Sequence, residues 1–171
     1  VPAQPGILTA QPKSSGGGIK TQWAASAGHD GYKLIYRIGS HRLNDILASP
    51  SKTILVNAGD TSKNITSVSI TQLASIVLVA YNSGGESTYS NVVREQPVPR
   101  TPQLQTPDVS KPGKVILTWT DNNGVNTFKV YRMTGSTGNP ETAGTLIATL
   151  GGSVKTYTDS GFPTYGGTTY R

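Results

Sequence analysis

Apolar and polar residues alternate in short runs along the whole chain. In "GYKLIYR" Tyr32, Leu34 and Tyr36 fall on one side of an extended backbone, while Lys33 and Arg37 fall on the other, the period of two that strand side chains follow. Comparable runs, bounded by Gly, Asn, Asp or Pro, predict strands over 6–9, 18–24, 32–38, 53–56, 64–71, 75–81 and 90–94. No window carries a sustained i, i+3, i+4, i+7 apolar stripe of helical length, so helices are expected to be nearly absent. So many short strands within about 100 residues predict a β-sandwich. Trp23 is placed in its core with Tyr32, Leu34, Ile19, Val77 and Val79. Burying such side chains contributes about 1.5–3 kcal/mol each.

The pattern then repeats. "VPAQP" opens the first half and "VPRTP" the second, so that Val1, Pro2 and Pro5 recur as Val98, Pro99 and Pro102. Trp23 in "IKTQW" recurs as Trp119 in "VILTW", and Tyr32 in "GYKLIYR" recurs as Phe128 in "TFKVYR". Two tandem units follow, 1–96 and 97–171. The junction is "QPVPRTP", locally stiff and short of the amide donors a sheet needs.

The ending "AYNSGGESTYSNVV" of the first unit, with Ala80, Asn82, Gly85, Ser87, Ser90 and Asn91, resembles the last two strands and intervening FG loop of a fibronectin type III domain. The Trp of the second strand, the "GYKLIYR" run and the Pro-led first strand are similar to the same family, and the resemblance spans essentially the whole chain. It implies an all-β chain of two immunoglobulin-like (fibronectin type III) sandwiches. In the second, "KTYTDSGFPTYGGTTY" resembles the fifth strand and the turn after it, with Tyr170 as the corner tyrosine that opens strand F and a core of Trp119, Phe128 and Tyr170. The pattern would continue past Arg171, so the second sandwich is expected to be truncated near the start of strand F. The first unit departs from the pattern, with Ile76 or Ala74 where a corner tyrosine is expected.

Composition narrows the chemistry. There is no cysteine, which removes disulfides, thiolate metal sites and a Cys nucleophile. The net charge is +6, but the Lys and Arg are dispersed singly rather than clustered, which argues against nucleic acid as a partner. There is no apolar run long enough to span a membrane. The chain opens at Val1 rather than Met, which implies processing or excision from something longer. "GHDG" sets His29 beside Asp30, yet adjacent residues of a turn seldom face one site, and the turn reading is favoured over a metal or catalytic one. "TDNNG" lacks the alternating acids and terminal Glu of a calcium loop. "NIT" at Asn64 is a glycosylation sequon inside a predicted strand, where the structural reading is favoured. No catalytic, cofactor-binding or metal residue is therefore assigned.

The resemblance implies a binding or spacer unit, and it makes the FG loop, Asn82, Ser83, Gly84, Gly85, Glu86 and Ser87, the candidate contact site. The Gly pair equally suits a hairpin, and the loop has no Arg-Gly-Asp tripeptide. Tyr81 and Tyr89 flank it. The implied partners are other protein subunits, the rest of the same chain, or cell-surface polysaccharide. A virion protein of a phage tail, tail tip or fibre is the first expectation. The alternatives are an accessory module of a secreted polysaccharide-degrading enzyme, a bacterial surface adhesin, or an animal adhesion receptor.

Overall fold

A computed structural model describes residues 1–120, 125–135, 137–161 and the backbone of 168–170. Residues 121–124 and Arg171 lie outside the described residues, as does the side chain of Tyr170. The chain divides into two compact units, Val1–Arg100 and Thr101–Arg171.

In the first unit, one sheet is formed by β1 (Thr9–Pro12), β2 (Ile19–Gln22) and β5 (Ser62–Ile65), in the order β1-β2-β5. The facing sheet runs β4 (Lys52–Asn57), β3 (Gly31–Ile38), β6 (Ala74–Asn82) and β7 (Gly85–Glu86), with β8 (Val93–Glu95) also paired to β6. All ladders are antiparallel. Leu8, Ile19, Trp23, Tyr32, Leu34, Ile76 and Leu78 pack between the sheets. Trp23 and Tyr32 meet edge to face at 5.4 Å, a geometry that aligns the edge of one ring with the negative face of the other.

Val77 and Val79 do not join that core. Ile76, Leu78 and Ala80 face Trp23, so the period of two turns Val77 and Val79 outward. Their cover is α1 (Leu43–Ala48), a single helical turn and a half between β3 and β4. Ile46 is fully buried, and Leu43 and Leu47 pack beside it on Ile35, Val77 and Val79. The Asp45 carboxylate accepts the Arg42 backbone N–H at 3.2 Å, close to the positive end of the helix. β6 reads as a continuous apolar run because both of its faces are covered, a pattern usual for fully buried strands.

Three strand limits differ from the alternation for physical reasons. The first strand is assigned at Thr9–Pro12 instead of 6–9. Before it, Ala3 and Gly6 donate to Ala27 and Ala24 of the neighbouring chain segment, but Pro2 and Pro5 have no N–H to complete a ladder. β5 ends at Ile65, and the following stretch to Gln72 is turn, with a Gln72 N–H to Ser69 O bond of 2.9 Å. The last strand is assigned from Val93: before it, Ser90 meets Leu78 through its backbone N–H and its Oγ together, and Asn91 turns its side chain to Leu8 on the opposite sheet.

The second unit has β9 (Val115–Thr118) paired with β12 (Thr156–Asp159), and bridges from Leu104 to Trp119 and from Asp108 to Ile116 along the other edge of β9. The other sheet is β11 (Thr145–Gly151), β10 (Thr127–Thr134) and β13 (Thr168–Tyr170), in the order β11-β10-β13. β13, which holds Tyr170, meets β10 only from Arg132 to Thr134. Val115, Leu117, Trp119, Phe128 and Val130 form the core, and Trp119 and Phe128 lie 5.5 Å apart. A short helix, α2 (Pro140–Ala143), again follows the strand that carries the aromatic run, capped by the Asn139 side chain on the Glu141 N–H. Arg132 matches Tyr36 in the repeat. Tyr36 meets the Ser67 hydroxyl at 2.7 Å, whereas the Arg132 Nη1 donates to both oxygens of buried Asp159 and to the Gly161 carbonyl.

Candidate functional site

β6 and β7 form a tight hairpin, with Asn82 opposite Gly85 and Ser83-Gly84 at the tip. Gly85 sits at φ 121°, a conformation that favours glycine because it has no Cβ. The Asn82 side chain accepts the Gly84 N–H at 2.9 Å and donates to the Gly28 carbonyl at 2.7 Å. It thus closes its own turn and ties the hairpin to the turn before β3.

Beyond the hairpin, the edge of β6 is satisfied by hydroxyls. The Ser87 Oγ accepts the Ala80 N–H at 3.1 Å and donates to the Thr88 carbonyl. The Ser90 Oγ accepts the Leu78 N–H at 3.0 Å and donates to the Asn91 carbonyl. Asn91 then accepts the Leu8 N–H and donates to the Leu8 carbonyl, spanning to the opposite sheet like a backbone segment. Asn82, Gly85 and Ser87 therefore serve the fold, and Ser87 is buried. Ser83, Gly84, Gly85 and Glu86 are the exposed members of the six, and of these Gly85 is fixed by its backbone conformation.

Glu86 belongs to a cluster on the outer face of β3 and β6. Its carboxylate accepts from the Lys33 ammonium and from the Tyr89 hydroxyl at 3.3 Å. The Lys33 Nζ lies 5.5 Å from the centre of the Tyr81 ring, within range of a cation–π attraction. Tyr81 is opposite Gly31 in the ladder, and its hydroxyl end lies where a Gly31 side chain would be. The Glu86 hydrogen bond holds the Lys33 ammonium above its ordinary value. Burial, followed by the Glu86 charge, holds the Tyr89 phenol above its own. Lys33 and Glu86 keep 34% and 38% of their side-chain surface exposed, so this pair contributes at most about 1 kcal/mol. Two half-exposed phenols beside a cation and an anion offer stacking surface and hydrogen-bonding groups. They do not form a nucleophile and base in a closed pocket.

The histidines have structural roles. The His29 Nε2 meets the Ala58 carbonyl at 3.0 Å, with its ring 4.4 Å from Tyr32, and the Asp30 backbone donates to Tyr81. The His41 Nε2 meets the Ile38 carbonyl at 2.8 Å. Among the described residues, no group of three or more His, Asp or Glu could hold a metal ion. The "TDNNG" turn falls mostly at 121–124, outside the described residues. Asn64 is exposed on the edge strand β5.

Sequence reading missed the Lys33–Glu86–Tyr89 cluster because its members come from β3, β7 and the segment after it. The signal was available only in register: Lys33 falls on the same outward row as Val79, two residues from Tyr81.

No protein-family model matches the chain, and no curated protein matches it. Among solved structures, 90% of the chain aligns with 81% of a two-domain fibronectin type III segment of chicken tenascin, at 16% identity and TM-score 0.51. It also aligns with domains FN1 to FN3 of chicken CNTN1 over 92% of this chain and 56% of that one, at 13% identity and TM-score 0.45. The FN5 domain of Drosophila Lar aligns over 56% of this chain and 98% of its own, at 22% identity and TM-score 0.42. At these identities the likeness concerns the fold, and the tenascin alignment carries it.

Proposed function

Because this chain folds as two tandem fibronectin type III sandwiches, we propose that it is a non-enzymatic spacer and contact module of a larger extracellular or virion assembly, with a phage tail, tail tip or fibre as its first setting. The observation that carries the spacer reading is the junction. The Gly17 N–H donates to the Val98 carbonyl at 2.7 Å, and Gly16 approaches Pro99 and Arg100 so closely that a Cβ there would lie 2.2 Å from the Pro99 oxygen. The glycine-rich turn between β1 and β2 thus holds the Pro-rich junction against the first sandwich, as suits a load-carrying connector. The virion setting draws its support from the cysteine-free, Gly-, Ser- and Thr-rich composition. Antibodies against the chain, applied to purified extracellular particles under the electron microscope, test it: decoration of a tail or fibre supports the proposal, and particles free of label refute it.

The Tyr81, Tyr89, Lys33 and Glu86 cluster favours a second reading, an accessory or adhesion module that contacts polysaccharide. Retention of the full chain on immobilised cell-envelope polysaccharide, lost in Tyr81→Ala, would support this reading, and equal retention of the two would remove it.

A further inference from the structure

Beyond the proposed spacer role, and independent of it, one sheet edge of the first sandwich carries no further strand among the described residues. β4 ends the order β4-β3-β6-β7, and its ladder with β3 runs without a shift from Gly31↔Asn57 to Tyr36↔Lys52. An edge strand presents a row of unpaired N–H and C=O groups, which proteins usually blunt with Pro, Lys, bulges or brevity. The other edges of this unit follow that rule: β1 ends in Pro12, β5 carries Lys63, and β7 and β8 are 2 and 3 residues long. The middle of β4, Thr53 to Val56, has neither charge nor proline, and it is rich in strand-forming side chains. At its centre Leu55 is 64% exposed.

We infer that the free edge of β4 pairs antiparallel with the β4 of a second copy of this chain, with Leu55 on the two-fold axis. Centred there, Leu55 faces Leu55 of the second copy and Ile54 faces Val56. Thr53 faces Asn57, and Lys52 faces Ala58. Like thus meets like: the outward polar positions oppose one another, as do the positions turned toward the two cores, and the exposed leucines cover each other. The antiparallel sense also brings the Lys52 end of each strand to the turn that carries Asp60 in the other, so opposite charges approach at both ends. A parallel pairing would set Lys52 against Lys52. Strand addition over so few residues buries less than about 1,200 Å², the range of weak and transient contacts. The resulting dimer is concentration-dependent, and it joins two sheets into one.

Sedimentation equilibrium of the full chain tests the proposal. The wild type should self-associate. Leu55→Lys, which sets two ammonium groups face to face, should weaken the dimer about tenfold or more and leave the melting temperature unchanged. The register is read separately with a short bis-maleimide, since the chain has no cysteine of its own. Leu55→Cys should cross-link to itself, and Thr53→Cys should cross-link to Asn57→Cys but not to itself. A wild type that stays monomeric up to its solubility limit overturns the inference. So does a dimer indifferent to Leu55→Lys, or one in which Thr53→Cys cross-links to itself. Capture of a foreign strand at β4 without self-association also overturns it.

Discussion

Ser90→Ala should destabilise the first sandwich far more than the loss of one surface hydroxyl would. The Ser90 Oγ accepts the Leu78 N–H and donates to the Asn91 carbonyl at 2.9 Å. Leu78 is fully buried in the middle of β6 and Ser90 itself is 6% exposed, so the freed amide has no ready access to water. Leaving a buried donor without a partner costs about 1–3 kcal/mol. The alanine still fills the space of the Cβ, so no cavity cost adds to this. A change of that size lowers the midpoint of a domain of about 100 residues by roughly 4–8 °C per kcal/mol. Ser87→Ala should act in the same way through the Ala80 amide, while Ser83→Ala at the exposed hairpin tip should stay within about 0.5 kcal/mol of wild type. Thermal melts of the full chain give the magnitude. Hydrogen exchange gives the cause, because the Leu78 amide should lose protection in Ser90→Ala and the Ala80 amide in Ser87→Ala. If Ser90→Ala melts with Ser83→Ala and its Leu78 amide stays protected, the hydroxyl is not the partner on which the strand depends.

Trp23→Ala should cost about 3–5 kcal/mol, enough to unfold most of the first unit, and a denaturant midpoint close to wild type would remove Trp23 from the core. Asp159→Ala should cost the second unit about 1–3 kcal/mol by stranding the Arg132 guanidinium, visible as lost protection at Val130 while Leu34 keeps its own; unchanged exchange at Val130 would contradict this. Lys33 and Tyr89 both have raised values in the folded state. The stability they add is therefore complete below about pH 10 and is lost as pH rises through their folded values. Melting midpoints between pH 9 and 11 should fall more steeply in the wild type than in Glu86→Gln, and parallel curves would refute the coupling. Gly16→Ala forces a side chain onto Pro99 and Arg100 at φ 67°, so trypsin should cut after Arg100 sooner than in the wild type, and equal cutting rates would show that the turn does not hold the junction.

The parts of the fold legible in the sequence are those that alternation and repetition encode directly. The Tyr32, Leu34 and Tyr36 row faces inward, and the Trp and aromatic pair appears in both units. What alternation hides is a strand apolar on both faces. In "ASIVLVAYN" a period of two exists only as two interleaved apolar sets, so Val77 and Val79 read as companions of Trp23 until their cover is known. That cover was below the length at which a helical stripe is visible: Leu43, Ile46 and Leu47 keep the spacing, but α1 spans only 6 residues. Side chains that act in place of backbone escaped for a related reason. Ser87, Ser90 and Asn91 look like loop composition, and their bonding depends on which carbonyls β6 lacks.

The candidate contact loop shows how one motif divides between scaffold and surface. Asn82, Ser87, Ser90 and Asn91 are fixed by amides and carbonyls of the fold, so they can vary little without loss of stability. Glu86 lies between two of them in sequence, yet it is exposed and its carboxylate bonds to the side chains of Lys33 and Tyr89. Substitution there changes the outer face and leaves the strand ladder intact. The two units differ in the same manner at Tyr36 and Arg132, where one inward row ends in a neutral pair with Ser67 and the other in an ion pair with Asp159. The aromatic pair at the centre of each core sets the sandwich, and the row ends, relieved of that duty, are where the chemistry of the two units diverges.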